Sequence, residues 1–189
     1  MLPPEIVLRP LTEFPAEAFL RISYGYTSGA RWAIRREATP ESITITASLE
    51  PLESPYVKRW PYDEDELRRY AALVAEQGLS WGAFAGQTLV GIAIGEAQVW
   101  NRTLWVWELH VAAEHHGRGI GRALVERLAA AGRERGLRVM VCETQNTNAP
   151  AIAFYRRVGF ELDGIDLSYY SNEDVTQGEV ALFMKLHLT

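Results

Sequence analysis

The sequence predicts a mixed α/β fold that contains a run of three antiparallel strands. The first observation is the run itself, in which the strand-like segments Ser80–Ala85 and Leu89–Val99 flank the turn Gly86-Gln87-Thr88, and Thr103–Val111 follows. The second is a change to alternating amphipathic helices and strands after residue 111. The third is composition: with 48% apolar and 23% charged residues, 189 residues can bury one core. We therefore expect a single domain over residues 1–189.

The segments before this run predict two strands and two helices. Glu5–Pro10 alternates as a first strand, Glu17–Ile22 has the pattern of a short helix, and Ser42–Leu49 reads as another strand. A longer helix begins at Asp63, because an acidic first turn favours a helix N-terminus and Gly78 supplies the stop. We interpret the acidic run 63–66 as capping rather than as a binding site.

After residue 111 the predicted order is helix, strand, helix and two strands. The apolar positions repeat at helical spacing in the helical segments, and the strands are short apolar runs. The five segments are Arg118–Arg135, Leu137–Glu143, Ala149–Val158, Phe160–Ile165 and Glu179–His187.

Composition excludes several classes of protein. A net charge of −5 argues against a nucleic-acid partner, which favours a basic surface. The single cysteine, Cys142, rules out an internal disulfide, and we interpret it as strand packing. No apolar run is long enough for a membrane span and the N-terminus lacks a signal peptide pattern, so we expect a cytoplasmic protein without a membrane partner. The four scattered histidines predict no metal site. The sequence leaves a homodimer open.

The segment with the clearest chemistry is the glycine-rich turn from His116 to Arg122. Its three alternate glycines expose consecutive backbone N–H groups where the helix with Ile120 begins. Such donors at the positive end of a helix dipole bind phosphate or pyrophosphate.

Two common phosphate-binding motifs do not fit this turn. A P-loop requires a Gly-Lys-Ser/Thr sequence, which is missing. A dinucleotide fingerprint requires a third glycine where Arg122 stands, and a tighter connection than the five residues between Val111 and Gly117. A purely structural role, in which glycine caps the helix or bends the chain, explains one of the three glycines well but explains all three together poorly.

The stretch Glu108-Leu-His-Val111, followed by His116-Gly-Arg-Gly-Ile-Gly121 at a helix start, resembles the GNAT superfamily of N-acetyltransferases. That family has the signature Arg/Gln-x-x-Gly-x-Gly/Ala, so His116 departs from it. A second segment, Asn148 to Phe160 with Tyr155 and Gly159, is similar to the family's Asn-containing helix followed by Tyr-x-x-x-Gly-Phe. Local helix capping by Asn148 and Gly159 explains this segment alone equally well.

The resemblance implies the GNAT acyl-CoA N-acyltransferase fold, with a mixed, mostly antiparallel central sheet flanked by helices, and acetyl-CoA as cosubstrate without a metal. It is firm from Glu76 to Phe160. Likeness to streptothricin acetyltransferases extends it through the run Cys142–Asn148, Asp166, Tyr170–Asn172 and Glu179–Phe183. The resemblance implies cofactor contacts from Leu109, His110, Val111, His116, Gly117, Arg118, Gly119, Ile120, Gly121, Arg122, Asn148 and Tyr155.

An N-acetyltransferase must remove a proton, because an alkyl amine with a pKa near 10.4 is neutral in only about one molecule in 2,500 at pH 7. Strand alternation places Glu108 and His110 on one face. Glu108 is our candidate base, acting through water, with His110 as a candidate relay; an ordinary strand carboxylate and a structural histidine are the alternatives. The resemblance assigns Tyr155 as the general acid for the thiolate. It also assigns polarisation of the acetyl carbonyl to backbone N–H groups near 109–111.

The acceptor is predicted only as an amine, with a small cationic molecule such as a streptothricin-like compound as our first choice. Acidic side chains in the C-terminal part would hold such a cation, or are solvated loop charges: Asp166, Glu173, Asp174 and Glu179. Aromatic side chains would wall the acceptor pocket, or only pack: Tyr24, Tyr26, Trp60, Tyr62, Trp81, Trp100 and Tyr169. A protein N-terminal or lysine acetyltransferase and a non-catalytic acyl-CoA-binding sensor are the alternative functions.

Overall fold

The computed structural model describes residues 2–189 and confirms the mixed α/β class. The strands are β1 (Ile6–Pro10), β2 (Gly25–Ala38), β3 (Ile43–Arg59), β4 (Ser80–Ala85), β5 (Thr88–Gln98), β6 (Thr103–Val111), β7 (Val139–Gln145), β8 (Glu161–Asp166) and β9 (Ala181–His187). The helices are α1 (Ala16–Ile22), α2 (Glu64–Gln77), α3 (Ile120–Glu134), α4 (Ala149–Arg157) and α5 (Asp174–Gln177), with a 3-10 turn at Ala113–His115. Every predicted element is present, and β2 and α5 were not predicted.

The described chain divides into two compact units. The first contains the residues up to Tyr24, Trp60–Cys142 and Leu186–Thr189, and the second contains Gly25–Arg59 and Glu143–Lys185. The chain leaves the first unit within β7, after Cys142. A single domain over residues 1–189 stays a prediction.

The sheet of the first unit follows the order β1-β4-β5-β6-β7. Strands β4, β5 and β6 pair antiparallel in series, as the turn between β4 and β5 predicted. The pairing of β6 with β7 is parallel, and its register runs from Thr103↔Val139 to Val106↔Cys142. The ladder therefore ends while β6 continues for five further residues to Val111.

Two helices of the first unit show why their sequences form helices. Asp63 accepts from the backbone N–H of Glu66, whose side chain accepts in return from the N–H of Asp63, and Gly78 ends α2 in the left-handed conformation. The acidic run is thus a capping box, as predicted. Helix α3 buries Leu124 and Leu128 completely, each contributing roughly 1.5–3 kcal/mol by removal from water.

The second unit contains the long β2–β3 hairpin, the antiparallel pair β8–β9 and helix α4. Strand β3 begins near the predicted residue 42 but extends to Arg59, ten residues beyond the predicted end. Asn146 joins two parts of this unit, because its backbone and side chain exchange hydrogen bonds of 2.8–2.9 Å with Trp32 and Val180. These bonds fix β2 beside the residues that follow β7.

Candidate active site

Strand β6 carries Glu108 into the interior of the first unit. The side chains of Leu104, Val106 and Glu108 are buried, and Glu108 is only 8% exposed. Ile94 pairs with Glu108 while Gly95 pairs with Val106, so β6 has one extra residue at this point. Such a bulge re-aims the side chains beside it. Because burial of an unpaired carboxylate is costly, Glu108 requires hydrogen-bond donors.

Glu108 finds these donors in His110 and Tyr62. His110 lies on the same face of β6, as predicted, with Nε2 2.5 Å from Oε2 of Glu108. The Tyr62 hydroxyl donates to the same oxygen over 3.2 Å, and lies 3.4 Å from Nε2 of His110. Two polar groups thus meet at one carboxylate oxygen in the interior of the unit.

Aromatic rings enclose this polar group. Phe19 packs against Tyr62 and His110 at centroid distances of 4.8 and 5.8 Å, and Trp60 lies 5.3 Å from His110. Burial raises the pKa values of Tyr62 and Tyr70, and the charge of Glu108 raises them further. Both hydroxyls therefore keep their protons at neutral pH. Tyr62 and Trp60 were candidates for the wall of the acceptor pocket, with plain packing as the alternative, and Tyr70 was not named as a site residue.

The glycine-rich turn lies at the N-terminus of α3, where it was predicted. Gly117 and Gly119 have φ angles of 73° and 80°, the left-handed region that favours glycine. The N-cap Gly119 contributes no side-chain cap, and the first bond of the helix runs from Ala123 N–H to the Gly119 carbonyl. The amides of the first turn have no acceptor within the helix, which is the arrangement that binds an anion.

Side chains of the same segment hold the turn in place. His116 Nε2 lies 2.8 Å from the carbonyl oxygen of Val111, so the histidine ties the turn to the end of β6. Arg118 donates to Nδ1 of His115 over 2.9 Å and forms an ion pair with Glu5. The positive charge of Arg118 is thus partly balanced by a carboxylate.

Asn148 and Tyr155 belong to α4 in the second unit. Asn148 is the N-cap residue, and its Oδ1 accepts from Ala151 N–H over 3.2 Å, so the predicted capping role is confirmed. Tyr155 is 8% exposed and its ring lies 5.4 and 5.3 Å from Phe154 and Phe160. Gly159 has a φ of 103° after the helix end, as its predicted closing role requires.

The predicted acidic residues of the C-terminal part have different surroundings. Asp166 accepts from Ser168 N–H, and Asp174 accepts from Tyr170 N–H and the Ser171 hydroxyl, so these two carboxylates stabilise local turns. Glu173 is exposed. Only Glu179 takes part in a larger polar cluster.

That cluster centres on Glu179 and Lys58, whose Nζ lies 2.5 Å from Oε2 of Glu179. The hydroxyls of Tyr56 and Thr147 donate to the other oxygen over 2.9 and 3.3 Å. Tyr26 shares a 2.7 Å hydrogen bond with Thr147. The cluster is therefore a connected network of hydroxyls and charges.

Glu143 was part of the run that resembled streptothricin acetyltransferases but was not predicted as a site residue. It accepts a hydrogen bond from the Tyr170 hydroxyl. Burial raises its pKa to about 7, against the lowering effect of Tyr170. Glu143 is thus a carboxyl that titrates near neutral pH. In the sequence, the only sign of this raised pKa is the position of Glu143 on a strand, between Cys142 and Thr144, which are both buried.

Some predicted aromatic residues do not fit a pocket wall. Trp100 is 85% exposed in the turn before β6, and Trp81 lies under the Arg127 guanidinium at 5.5 Å from the ring centroid. Among residues 2–189, no cluster of three or more histidine, cysteine or acidic side chains is arranged to hold a metal ion. In the same described part, no helix has the length and apolar character to cross a membrane.

Comparison with known proteins gives one family-model match, the acetyltransferase (GNAT) family, over residues 45–160. A streptothricin acetyltransferase of Streptomyces lavendulae is 41% identical over 98 residues, which is 52% of this chain and about half, 51%, of that protein. A streptothricin acetyltransferase of Escherichia coli is 32% identical over 130 residues, 69% of this chain and 70% of that protein.

One solved structure extends the likeness to nearly the whole chain. The crystal structure of a nourseothricin acetyltransferase matches with a TM-score of 0.75 and 32% identity, covering 98% of this chain and 99% of that one. The predicted fold and the predicted likeness to streptothricin acetyltransferases are thus confirmed. With the glycine turn at α3 and a mixed sheet in place, the chain belongs to the acetyltransferase (GNAT) family.

Proposed function

We propose that this acetyl-CoA-dependent N-acetyltransferase acetylates a primary amine of a small polycationic molecule of the streptothricin class. The observation that carries the proposal is the likeness to a nourseothricin acetyltransferase over 98% of the chain at 32% identity. The two streptothricin acetyltransferases support the same acceptor class. Localisation in the cytoplasm and a homodimer stay predictions.

Acetyl-CoA supplies an acetyl thioester, and the residues around α3 fit its pyrophosphate. The uncapped first turn and the left-handed Gly117 and Gly119 present backbone N–H donors to an anion. A Cβ at Gly117 would meet nothing within 4 Å, so the need for glycine there is conformational. We assign the binding of the pyrophosphate to residues 116–122 and that of the pantetheine arm to Asn148.

Glu108 is the proposed base of the reaction. The acceptor ammonium must lose a proton before its nitrogen attacks a carbonyl carbon. A buried carboxylate held by His110 and Tyr62 suits this role, because its donors fix its orientation in advance. The amine proton passes first to a water molecule. His110 then relays it from the water to Glu108.

The remaining steps are assigned to backbone amides and Tyr155. The amides of 109–111 lie beyond the last pair of the β6–β7 ladder, and we assign polarisation of the acetyl carbonyl to them. Tyr155 is assigned proton donation to the departing thiolate. For the cationic acceptor we retain Glu179, which shares its charge with Lys58 in a polar network, and we add Glu143. Asp166 and Asp174 accept hydrogen bonds within local turns, and Glu173 is exposed.

The test is acetyl-CoA-dependent thiol release with a panel of streptothricin, aminoglycosides, polyamines and peptides, with mass spectrometry on each product. We expect release and one added acetyl group with streptothricin. Release with peptides alone would establish the alternative protein acetyltransferase. Coenzyme A binding without release across the panel would establish a non-catalytic sensor.

A further inference from the structure

We propose that Tyr62 is a positioning residue of the acetyl-transfer reaction, whose hydroxyl donates to Oε2 of Glu108 and holds the Glu108–His110 pair in the orientation that accepts the amine proton. The proposal rests on the proposed role of Glu108 as base. It adds a residue that lies outside both family motifs, 46 positions before Glu108 in the chain.

The direction of the hydrogen bonds follows from the chemistry of the three groups. An ionised carboxylate can only accept, so both Nε2 of His110 and the Tyr62 hydroxyl donate to Oε2 of Glu108. The 2.5 Å contact then places the proton of a neutral imidazole on Nε2 and leaves Nδ1 as the acceptor. The Tyr62 hydroxyl therefore acts on the same carboxylate oxygen that the imidazole contacts.

The local fold holds Tyr62 rigidly. It directly precedes Asp63, the N-cap residue whose capping box with Glu66 fixes the path of the chain into α2. The ring of Phe19 packs against the ring of Tyr62 from α1. A donor that is held in advance costs no reorganisation when charge moves in the reaction.

Other polar and charged groups face the pair from each neighbouring element. On α2, burial and the charge of Glu108 raise the pKa of the Tyr70 hydroxyl, and Glu66 and Arg69 act on that hydroxyl electrostatically in opposite directions. At the end of α1, Ser23 is a second hydrogen-bonding neighbour of the Tyr62 hydroxyl, but its own hydroxyl donates to the carbonyl of Phe19 over 2.8 Å. The Tyr62 hydroxyl donates to the charged acceptor Glu108, and charge-assisted hydrogen bonds are the stronger ones.

The test is Tyr62→Phe, which removes the hydroxyl and retains the ring. We expect kcat to fall about 10-fold or more, the KM for acetyl-CoA to change less than about twofold, and the acidic limb of the pH–rate profile to shift. The matched control is Thr88→Val, which removes an exposed hydroxyl at the start of β5 and should leave all three unchanged.

A second variant covers the case in which Tyr62→Phe fails to fold. Site-specific 3-fluorotyrosine at position 62 keeps the ring and the hydroxyl but makes that hydroxyl more acidic, so we expect a shifted pH–rate profile at unchanged melting temperature. An unchanged kcat and profile in a folded variant would overturn the role of Tyr62.

Glu108→Gln separates this inference from the proposed function. If Glu108→Gln impairs turnover and both Tyr62 variants do not, the inference fails and the base assignment stands. If Glu108→Gln has no effect, the base assignment fails as well, and the role of Tyr62 fails with it.

Discussion

Glu108 is a carboxylate that the first unit buries among hydrogen-bond donors rather than exposes to water. The Oε2 atom of Glu108 accepts hydrogen bonds from both His110 and Tyr62, and the residue is 8% exposed. A strand carboxylate that interacts only with solvent would lie on the surface. The arrangement favours a chemical role over the alternative of an ordinary strand residue.

We expect Glu108→Gln to lower kcat by at least about 100-fold, the lower range for loss of a general base. The amide keeps the size of the side chain but cannot accept a proton, so the acidic limb of the pH–rate profile should flatten. Steady-state rates between pH 5.5 and 9 check this, with the exposed Glu114→Gln as the control. An unaltered profile assigns the base elsewhere.

Tyr155→Phe tests the proposed acid. The ring contacts with Phe154 and Phe160 remain, so the melting temperature and the affinity for coenzyme A should stay close to those of the wild type. Loss of the hydroxyl should reduce turnover by about 100-fold, because the thiolate then leaves without a proton donor. An unchanged rate would remove Tyr155 from the mechanism.

The raised pKa of Glu143 predicts a pH dependence of stability. The folded state holds this proton up to about pH 7, whereas the unfolded chain releases it near 4.5. Since the folded state binds more protons between these values, the free energy of unfolding falls as pH rises through this window. The loss is at most about 3 kcal/mol.

Glu143→Gln removes that titration. The free energy of unfolding of the variant, relative to that of the wild type, should therefore increase as pH rises from 4.5 to 7.5. Urea unfolding of both proteins at several pH values measures the difference, in which the other carboxylates cancel. Glu161→Gln, at an exposed position on β8, is the control. Parallel curves for wild type and Glu143→Gln would show that Glu143 titrates normally.

At the scale of the element, the N-terminus of α3 combines a left-handed N-cap with amides that have no acceptor in the helix. His116 ties this terminus to Val111 at the end of β6. The departure from the family's Arg or Gln thus has a local explanation, because the ring bonds to the protein backbone.

Gly119→Asp should abolish stabilisation by coenzyme A while the protein stays folded, because a carboxylate repels the pyrophosphate and both Asp and Asn tolerate left-handed φ. Gly119→Asn has the same shape without the charge and should retain most of the stabilisation. Thermal melting with and without coenzyme A measures both. Undiminished stabilisation of the Asp variant would place the pyrophosphate elsewhere.

At the scale of the whole molecule, a ligand that binds only the folded chain stabilises it by mass action. Coenzyme A at a hundred times its Kd contributes about 2.7 kcal/mol, which for a chain of this size raises the melting temperature by roughly 5–10 °C. ATP and NAD⁺ at the same concentration should raise it little, because the turn lacks a P-loop lysine and the third glycine of a dinucleotide site. Equal stabilisation by all three would mean a generic phosphate site.

The local signals of this chain identified most elements. The ends of two helices were predictable from capping residues, because a cap acts on backbone groups only a few residues away. These residues are Asp63 and Gly78 for α2, and Asn148 and Gly159 for α4. Strand β2 escaped detection because it combines glycine, aromatic and arginine residues, and because the partner strand β3 was predicted to end at Leu49, whereas it extends to Arg59. Strand propensity depends on such partners more than helix propensity does.

The sequence by itself determined the fold class, the family and the glycine turn, since each follows from periodicity or from motifs of neighbouring residues. Strand alternation also placed Glu108 and His110 on one face. Only the tertiary structure decided that Tyr62 donates to Glu108, and that burial raises the pKa of Glu143 to about 7. The physical reason is that hydrogen-bond partners and desolvation come from residues distant in the chain, and no local pattern records which of them meet.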